Sequence, residues 1–137
     1  MVLRTKTLLP LLLLLIAFLW QCQSYNVYQQ GELLYLNKCA NCHMEDGTGL
    51  KGLIPPLAKA DYFRDDPAKM VCIIRKGLEG PVVVNGKTYN QKMAAIPELS
   101  DIEIANIINY VSHTWENNLG YTKMTTVQAA LEKCPLD

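Results

Sequence analysis

Histidine is scarce in this chain and its charge is balanced, and each shortage excludes a class of function. Only His43 and His113 occur in 137 residues. Of the cysteines, Cys22, Cys72 and Cys134 are scattered, so the pair Cys39 and Cys42 has no second ligand pair with which to close a zinc site. No strand-helix-strand setting surrounds that pair, as a dithiol redox motif would need. No acid-base pair or nucleophile constellation is placed for catalysis, so the chain does not read as an enzyme on its own. The 13 Lys and Arg are matched by 13 Asp and Glu, and without a basic excess nucleic acid is not an expected partner. What remains is one small domain, half apolar in composition, behind a distinct N-terminal segment.

That segment has the layout of a secretory signal. Arg4 and Lys6 form a positive start, Leu8 to Trp20 is nearly all apolar, and small or polar residues follow. The run is short for a bilayer span and Pro10 interrupts it, which favours a cleaved signal over a membrane anchor. Cleavage after Ser24 places Cys22 and Ser24 at the positions a signal peptidase reads, giving residues 1–24 as the signal peptide. A second route stays open, because Leu19-Trp20-Gln21-Cys22 resembles a lipoprotein cleavage box, with Gln21 where Gly or Ala is usual. That route would leave a lipid anchor on Cys22, the one expected link to a membrane. Removing Arg4 and Lys6 from the 13 basic side chains leaves 11 against 13 acidic ones, so the exported, periplasmic domain is mildly acidic.

The body of the chain is organised around Cys39-Ala40-Asn41-Cys42-His43. A C-x-x-C-H run reads as a covalent attachment site for a c-type haem. Cysteines three apart lie on one side of a helical turn, so both sulfurs can reach the two vinyl groups at one haem edge. His43 comes up from the same turn to bind the iron axially. The adjacent histidine is the letter that separates this motif from a plain dithiol.

Around the motif, the spacing of apolar residues predicts a helix over Tyr28 to Lys38, with Leu33, Leu34 and Leu36 on its stripe beside Tyr28 and Tyr35. Gly31 inside it suits a close helix crossing. Gly47, Gly49, Gly52 and Pro55-Pro56 mark a loop that must wrap the haem. Asp66 as N-cap and Pro67 at the first helical position open the next helix, and Gly77 closes it. Its apolar face is Met70, Val71, Ile73 and Ile74, while Cys72 projects roughly opposite Met70, away from the haem. Val82 to Tyr89, broken by Asn85-Gly86, predicts a small hairpin. Ser100 and Glu103 form a capping box for a helix through Ile104, Ile107, Ile108, Tyr110 and Val111. In the tail, Gly120 breaks the chain and Thr125-x-x-Gln128 is expected to cap a short helix running to Lys133, one too short to persist unless docked or tethered.

Taken together, Gly31-x-x-x-Tyr35-x-x-x-Cys39-x-x-Cys42-His43-x-x-x-Gly47-x-Gly49, followed by Pro55-Pro56-Leu57-Ala58, resembles the class I monohaem cytochromes c of bacterial respiratory and dehydrogenase systems. The resemblance covers about Tyr28 to Trp115. It implies an all-α fold over residues 25–115, with the haem in a hydrophobic crevice and the small hairpin before the loop of the axial methionine, and leaves residues 116–137 as a C-terminal extension with a short helix. It implies one haem c attached through Cys39 and Cys42, with the Pro55 carbonyl accepting from the free nitrogen of His43. It also implies that the last core helix crosses the first at Gly31, pairing Gly31 and Tyr35 with Ile107 and Tyr110. The function implied is transfer of one electron at a time between larger redox proteins, such as an oxidase, a reductase or a dehydrogenase.

A six-coordinate carrier needs a distal ligand, and a thioether raises the reduction potential. Met44 stands beside His43 and is sterically excluded from the opposite face, Met70 reads as helix core, and Met124 lies beyond the last core helix. His113 reads as surface or packing. Met93 matches the axial methionine of the resembled family by position, with Ala94 where that family often has proline. Two rival readings are a five-coordinate haem that senses gas or acts as a peroxidase, and a thiol-disulfide oxidoreductase using Cys39 and Cys42. The two cysteines left over in an oxidising compartment, Cys72 and Cys134, are expected to form a disulfide that staples the C-terminal helix onto the outer face of the helix beginning at Pro67.

Overall fold

The computed structural model describes residues 26–134. The expected signal segment, with Cys22, lies outside the described residues. Among the described residues, five helices and one hairpin follow in order: α1 (Gln29–Lys38), α2 (Ala40–His43), α3 (Lys69–Lys76), β1 (Val82–Val84), β2 (Lys87–Tyr89), α4 (Asp101–His113) and α5 (Met124–Leu131). The expected helical fold with one small hairpin is therefore present. None of the described helices is long and apolar enough to cross a membrane.

Helix α1 packs on α4 through a close crossing. It buries Gly31 and Tyr35, whereas Leu33 and Leu36, expected on the inner stripe, are 48% and 40% exposed. The reason is the crossing itself: a Cβ at Gly31 would overlap the backbone carbonyl of Asn106 and lie 2.8 Å from Cβ of Tyr110. The two helix backbones meet there, so the face that carries Gly31 goes inward, Leu33 and Leu36 turn out, and Leu34 and Tyr28 stay packed against the core. Asn106 is thus the nearest partner of Gly31, with the expected Tyr110 beside it. The Tyr35 and Tyr110 rings stand 5.4 Å apart, and Trp115 closes on both at 5.2 and 5.6 Å.

Helix α4 is the axis of the core. Ser100 and Glu103 start it as expected, with the Ser100 N–H and hydroxyl both donating to the Glu103 carboxylate at 2.8 and 2.6 Å. Its residues Ile104, Ile107, Ile108 and Val111 are all buried. On its other side lies α3, which begins at Lys69, not at Pro67. The chain first makes tighter turns, with Lys69 N–H donating to Asp66 O and Met70 N–H to Pro67 O. Asp66 still caps them, its side chain accepting from Ala68 N–H at 3.1 Å. Gly77 ends α3 at φ +82.

The hairpin pairs Val82 with Tyr89 and Val84 with Lys87. Asn85 and Gly86 both take positive φ, as a two-residue hairpin turn of the primed type requires. Its tip is tied to the haem-loop side of the molecule: Asn85 N–H donates to Asp61 Oδ1 at 2.7 Å and Asp61 N–H to Asn85 Oδ1 at 3.1 Å.

The tail docks back on the core. Asn109 exchanges two hydrogen bonds with the Thr122 backbone, at 2.7 and 2.9 Å, and Val127 of α5 is fully buried. Helix α5 starts at Met124 with Lys123 as its N-cap, so Thr125 lies inside the first turn and does not cap, and the regular helix stops at Leu131 short of Lys133. Cys134 is joined to Cys72 of α3, 62 residues away, with the two Cα atoms 5.4 Å apart. The expected staple is in place.

Candidate haem site

The site grows out of the junction of α1 and α2. Cys39 ends α1 with its N–H donating to Tyr35 O at 2.8 Å, and His43 N–H donates to Cys39 O at 2.9 Å, which closes the turn carrying both cysteines and the histidine. Met44, at φ +62, stops the helix, and the Tyr35 hydroxyl donates to its carbonyl at 2.7 Å. Burial raises the Tyr35 phenol well above its ordinary range, so it stays a donor. From there the loop folds back: Gly49 N–H donates to His43 O, and Leu57 and Ala58 N–H both donate to Gly47 O.

That return brings Pro55 to His43. The imidazole Nδ1 lies 3.1 Å from the Pro55 carbonyl oxygen. A carbonyl only accepts, so Nδ1 carries the proton and the lone pair is left on Nε2. His43 is buried, and burial holds it below the ordinary histidine range against the upward pull of the Pro55 hydrogen bond. A neutral imidazole with one nitrogen fixed and the other free is the form that binds a metal.

His43 opens on an apolar cavity of about 470 Å³. Cys39, Cys42 and Pro55 line it from the same part of the chain, Met70 and Ile74 from α3, Ile107 and Val111 from α4, and Met93 from the segment after the hairpin. A volume in this range, an apolar lining and a few convergent polar groups are what a small-molecule or cofactor site needs. The donor set of two thiols, one prepared imidazole and one thioether fits a covalently held haem. Cys39 and Cys42 are unbridged, whereas Cys72 and Cys134 are bonded to each other. Burial, and then the charge of Cys42, pushes the Cys39 thiol up to about 11. A dithiol catalyst needs its nucleophile lowered, not raised, so this environment disfavours the oxidoreductase reading.

Of the other candidate ligands, His113 and Met124 fall elsewhere. His113 is exposed, stacks on Tyr28 with ring centroids 4.5 Å apart and does not line the cavity. Met124 is 44% exposed at the start of α5. Met70 does line the cavity, on the buried face of α3.

The family model described as Cytochrome c matches residues 28–115. The chain belongs to the cytochrome c family. Among its curated relatives, a cytochrome c-552 of Thermus thermophilus is 32% identical over 114 residues, which is 80% of this chain and 72% of that protein. The cytochrome c subunit of alcohol dehydrogenase (quinone) from Gluconobacter oxydans is 34% identical over 89 residues, 64% of this chain but only 19% of the relative. The gluconate 2-dehydrogenase cytochrome c subunit of Pantoea cypripedii is 29% identical over 107 residues, 77% of this chain and 24% of its own length. The chain thus spans about a fifth to a quarter of those two dehydrogenase subunits. As a cytochrome c it is an electron-transfer protein with covalently attached haem c.

Two contributors to this cytochrome c site were not foreseen. Asn117, in the expected extension, donates through its side chain to Leu57 O and Val111 O and accepts from Lys59 N–H, tying the haem loop to the end of α4. Gly77, foreseen only as a helix end, faces the backbone of the Met93 segment. Neither residue carries a spacing signal, because each acts on a neighbour distant in sequence.

Proposed function

We propose that Cys39 and Cys42 would hold the haem through two thioether bonds, that His43 Nε2 and the Met93 sulfur would bind its iron, and that the Pro55 carbonyl orients His43. The haem, when bound, supplies an iron centre that takes up and gives back one electron. The chain's own part is to fix the two ligands, to exclude water with the apolar walls and to keep the imidazole in one tautomer. The observation that carries this reading is that Met93, from a loop, and the prepared His43 line one cavity with Cys39 and Cys42, whereas Met70 lines it as a buried core residue of α3.

The protein serves larger redox proteins as a carrier and is not itself a catalyst. The names of the relatives support a dehydrogenase as one such partner. Residues 1–24 direct export and residues 25–115 form the haem domain, with 116–137 as an extension that Cys134 fastens. The mature protein works in the periplasm, with Cys22 as the alternative lipidated terminus.

The test is a spectroelectrochemical titration of the purified holo-protein. A single reversible one-electron wave, a weak near-infrared absorption from a ferric sulfur-to-iron bond, and slow carbon monoxide binding in the reduced state are expected. Rapid carbon monoxide binding without that band would favour a five-coordinate sensor or peroxidase. N-terminal analysis of the mature chain decides between Tyr25 and a blocked Cys22.

A further inference from the structure

Met93 is placed by its main chain. Its N–H donates to Leu78 O at 2.9 Å and its carbonyl accepts from Leu78 N–H at 3.0 Å, an isolated antiparallel bridge. Three residues on, Ile96 N–H donates to Ile74 O at 2.9 Å. These bonds strap the methionine segment to the C-terminal end of α3. The strap matters because a methionine side chain has three rotatable bonds and adapts easily, so the fixed quantity in its placement is the backbone. The next residue is Ala94, which does not stiffen the segment as a proline would.

The strap can lie this close only because position 77 has no side chain. A Cβ on Gly77 would stand 2.5 Å from Met93 O, 2.9 Å from Ala95 N and 3.2 Å from the Ala94 carbonyl carbon, all backbone atoms. Backbone held in a hydrogen-bonded bridge cannot swing aside as a side-chain end can, so relief of the overlap must move residues 93–95 as a unit. Gly80, in the same connection, offers the contrast: its φ of +90 is also positive, yet nothing lies within 4 Å of its Cβ position.

We propose that Gly77 is a positioning residue for Met93, setting how close the methionine segment approaches the haem cavity and thereby the strength of axial ligation. The proposal rests on the reading of Met93 as the axial ligand. It extends that reading from the ligand to the end of α3, and so to the element that the Cys72–Cys134 disulfide anchors.

Three holo-proteins test it: Gly77→Ala, Gly80→Ala and Met93→Ala, each compared with the wild type by the near-infrared band of the ferric form, the reduction potential and the rate of carbon monoxide binding to the ferrous form. Gly77→Ala should weaken or lose the band, lower the potential and bind carbon monoxide faster, because a displaced thioether no longer favours reduced iron or blocks the site. Gly80→Ala should match the wild type in all three. Met93→Ala should lose the band outright. If Met93→Ala loses the band while Gly77→Ala keeps band and potential, the positioning role is wrong and the ligand reading stands. If Met93→Ala keeps the band, the ligand reading falls and this proposal with it. Equal losses in Gly77→Ala and Gly80→Ala would assign the effect to backbone strain and overturn the role. Should Gly77→Ala yield no holo-protein, hydrogen exchange on the wild type decides: the Met93 and Leu78 amides should be protected like those of α3, and fast exchange at both would mean there is no strap.

Discussion

The carbonyl oxygen of Pro55 lies 3.1 Å from Nδ1 of His43, and Gly49 is what lets it get there. Gly49 sits at φ +67, and a Cβ on it would stand 2.5 Å from both the Ile54 and the Pro55 carbonyl oxygens. The haem loop therefore closes over a residue without a side chain, and the proton position on His43 follows from that closure. Sequence, turn, ring orientation and the nitrogen left free to bind a metal are one chain of causes.

Gly49→Ala is accordingly expected to destabilise the protein by about 2–5 kcal/mol, the left-handed backbone and the overlap adding together. Gly86→Ala is the comparison, since its φ is +72 but no atom lies within 4 Å of its Cβ position. That variant should lose only about 1–2 kcal/mol. Denaturant midpoints of the two holo-proteins check this, and similar losses in both would mean the loop closure is not tight.

Gly31→Ala sets two opposed effects against each other. Replacing an interior helical glycine normally stabilises by about 1 kcal/mol. Here the added methyl group meets the Asn106 carbonyl and the Tyr110 Cβ, and overpacking of that kind costs about 1–3 kcal/mol. The contact is with backbone on a helix packed in the core, so the cost should win and the urea midpoint should fall. A rise in the midpoint would show that α1 can shift on α4 without penalty.

Cys39→Ala and Cys42→Ala together should abolish covalent haem and, with it, most of the cooperative fold. The cavity of about 470 Å³ lies between α3, α4 and the haem loop, and core residues such as Met70, Ile74 and Val111 line it. Without its occupant those walls lose their main contact, and a chain of this size has little core to spare. Circular dichroism and a thermal melt of the double variant give the answer, and a helical protein with a sharp melt would count against the idea.

Much of this was legible from residues close together in the chain. Asn85-Gly86 dictated its turn through local φ, Ser100 and Glu103 their capping box, and the C-x-x-C-H spacing the haem turn, because each works within a few residues. On α1, Tyr28, Leu34 and Tyr35 pack inward as expected but Leu33 and Leu36 do not, because a stripe of leucines is a statement about hydrophobicity, while the face that turned inward was chosen by the absence of a Cβ at Gly31. The start of α3 moved to Lys69 because a proline pattern does not distinguish a first helical turn from tighter turns leading into it. Asn117 was silent and Gly77 was legible only as a helix end, since their partners Leu57, Val111 and Met93 become neighbours only after folding. The helical count that set Cys72 opposite Met70 succeeded because it needs only the pitch of one helix.

The Cys72–Cys134 bridge should contribute up to about 4 kcal/mol of stability in the chain-entropy model, for a loop of 62 residues. Its local effect should be on α5, which at eight residues is too short to hold itself and relies on Val127 packing and on this link. Non-reduced peptide mapping should recover the two cysteines as one linked species, and the Cys72→Ala/Cys134→Ala holo-protein should unfold at lower denaturant with α5 amides exchanging fast. Its haem attachment should be unchanged, because Cys39 and Cys42 are untouched. Recovery of two free thiols from the native protein, or a double variant as stable as the wild type with α5 still protected, would show that Val127 and the Asn109–Thr122 bonds hold the extension without the staple.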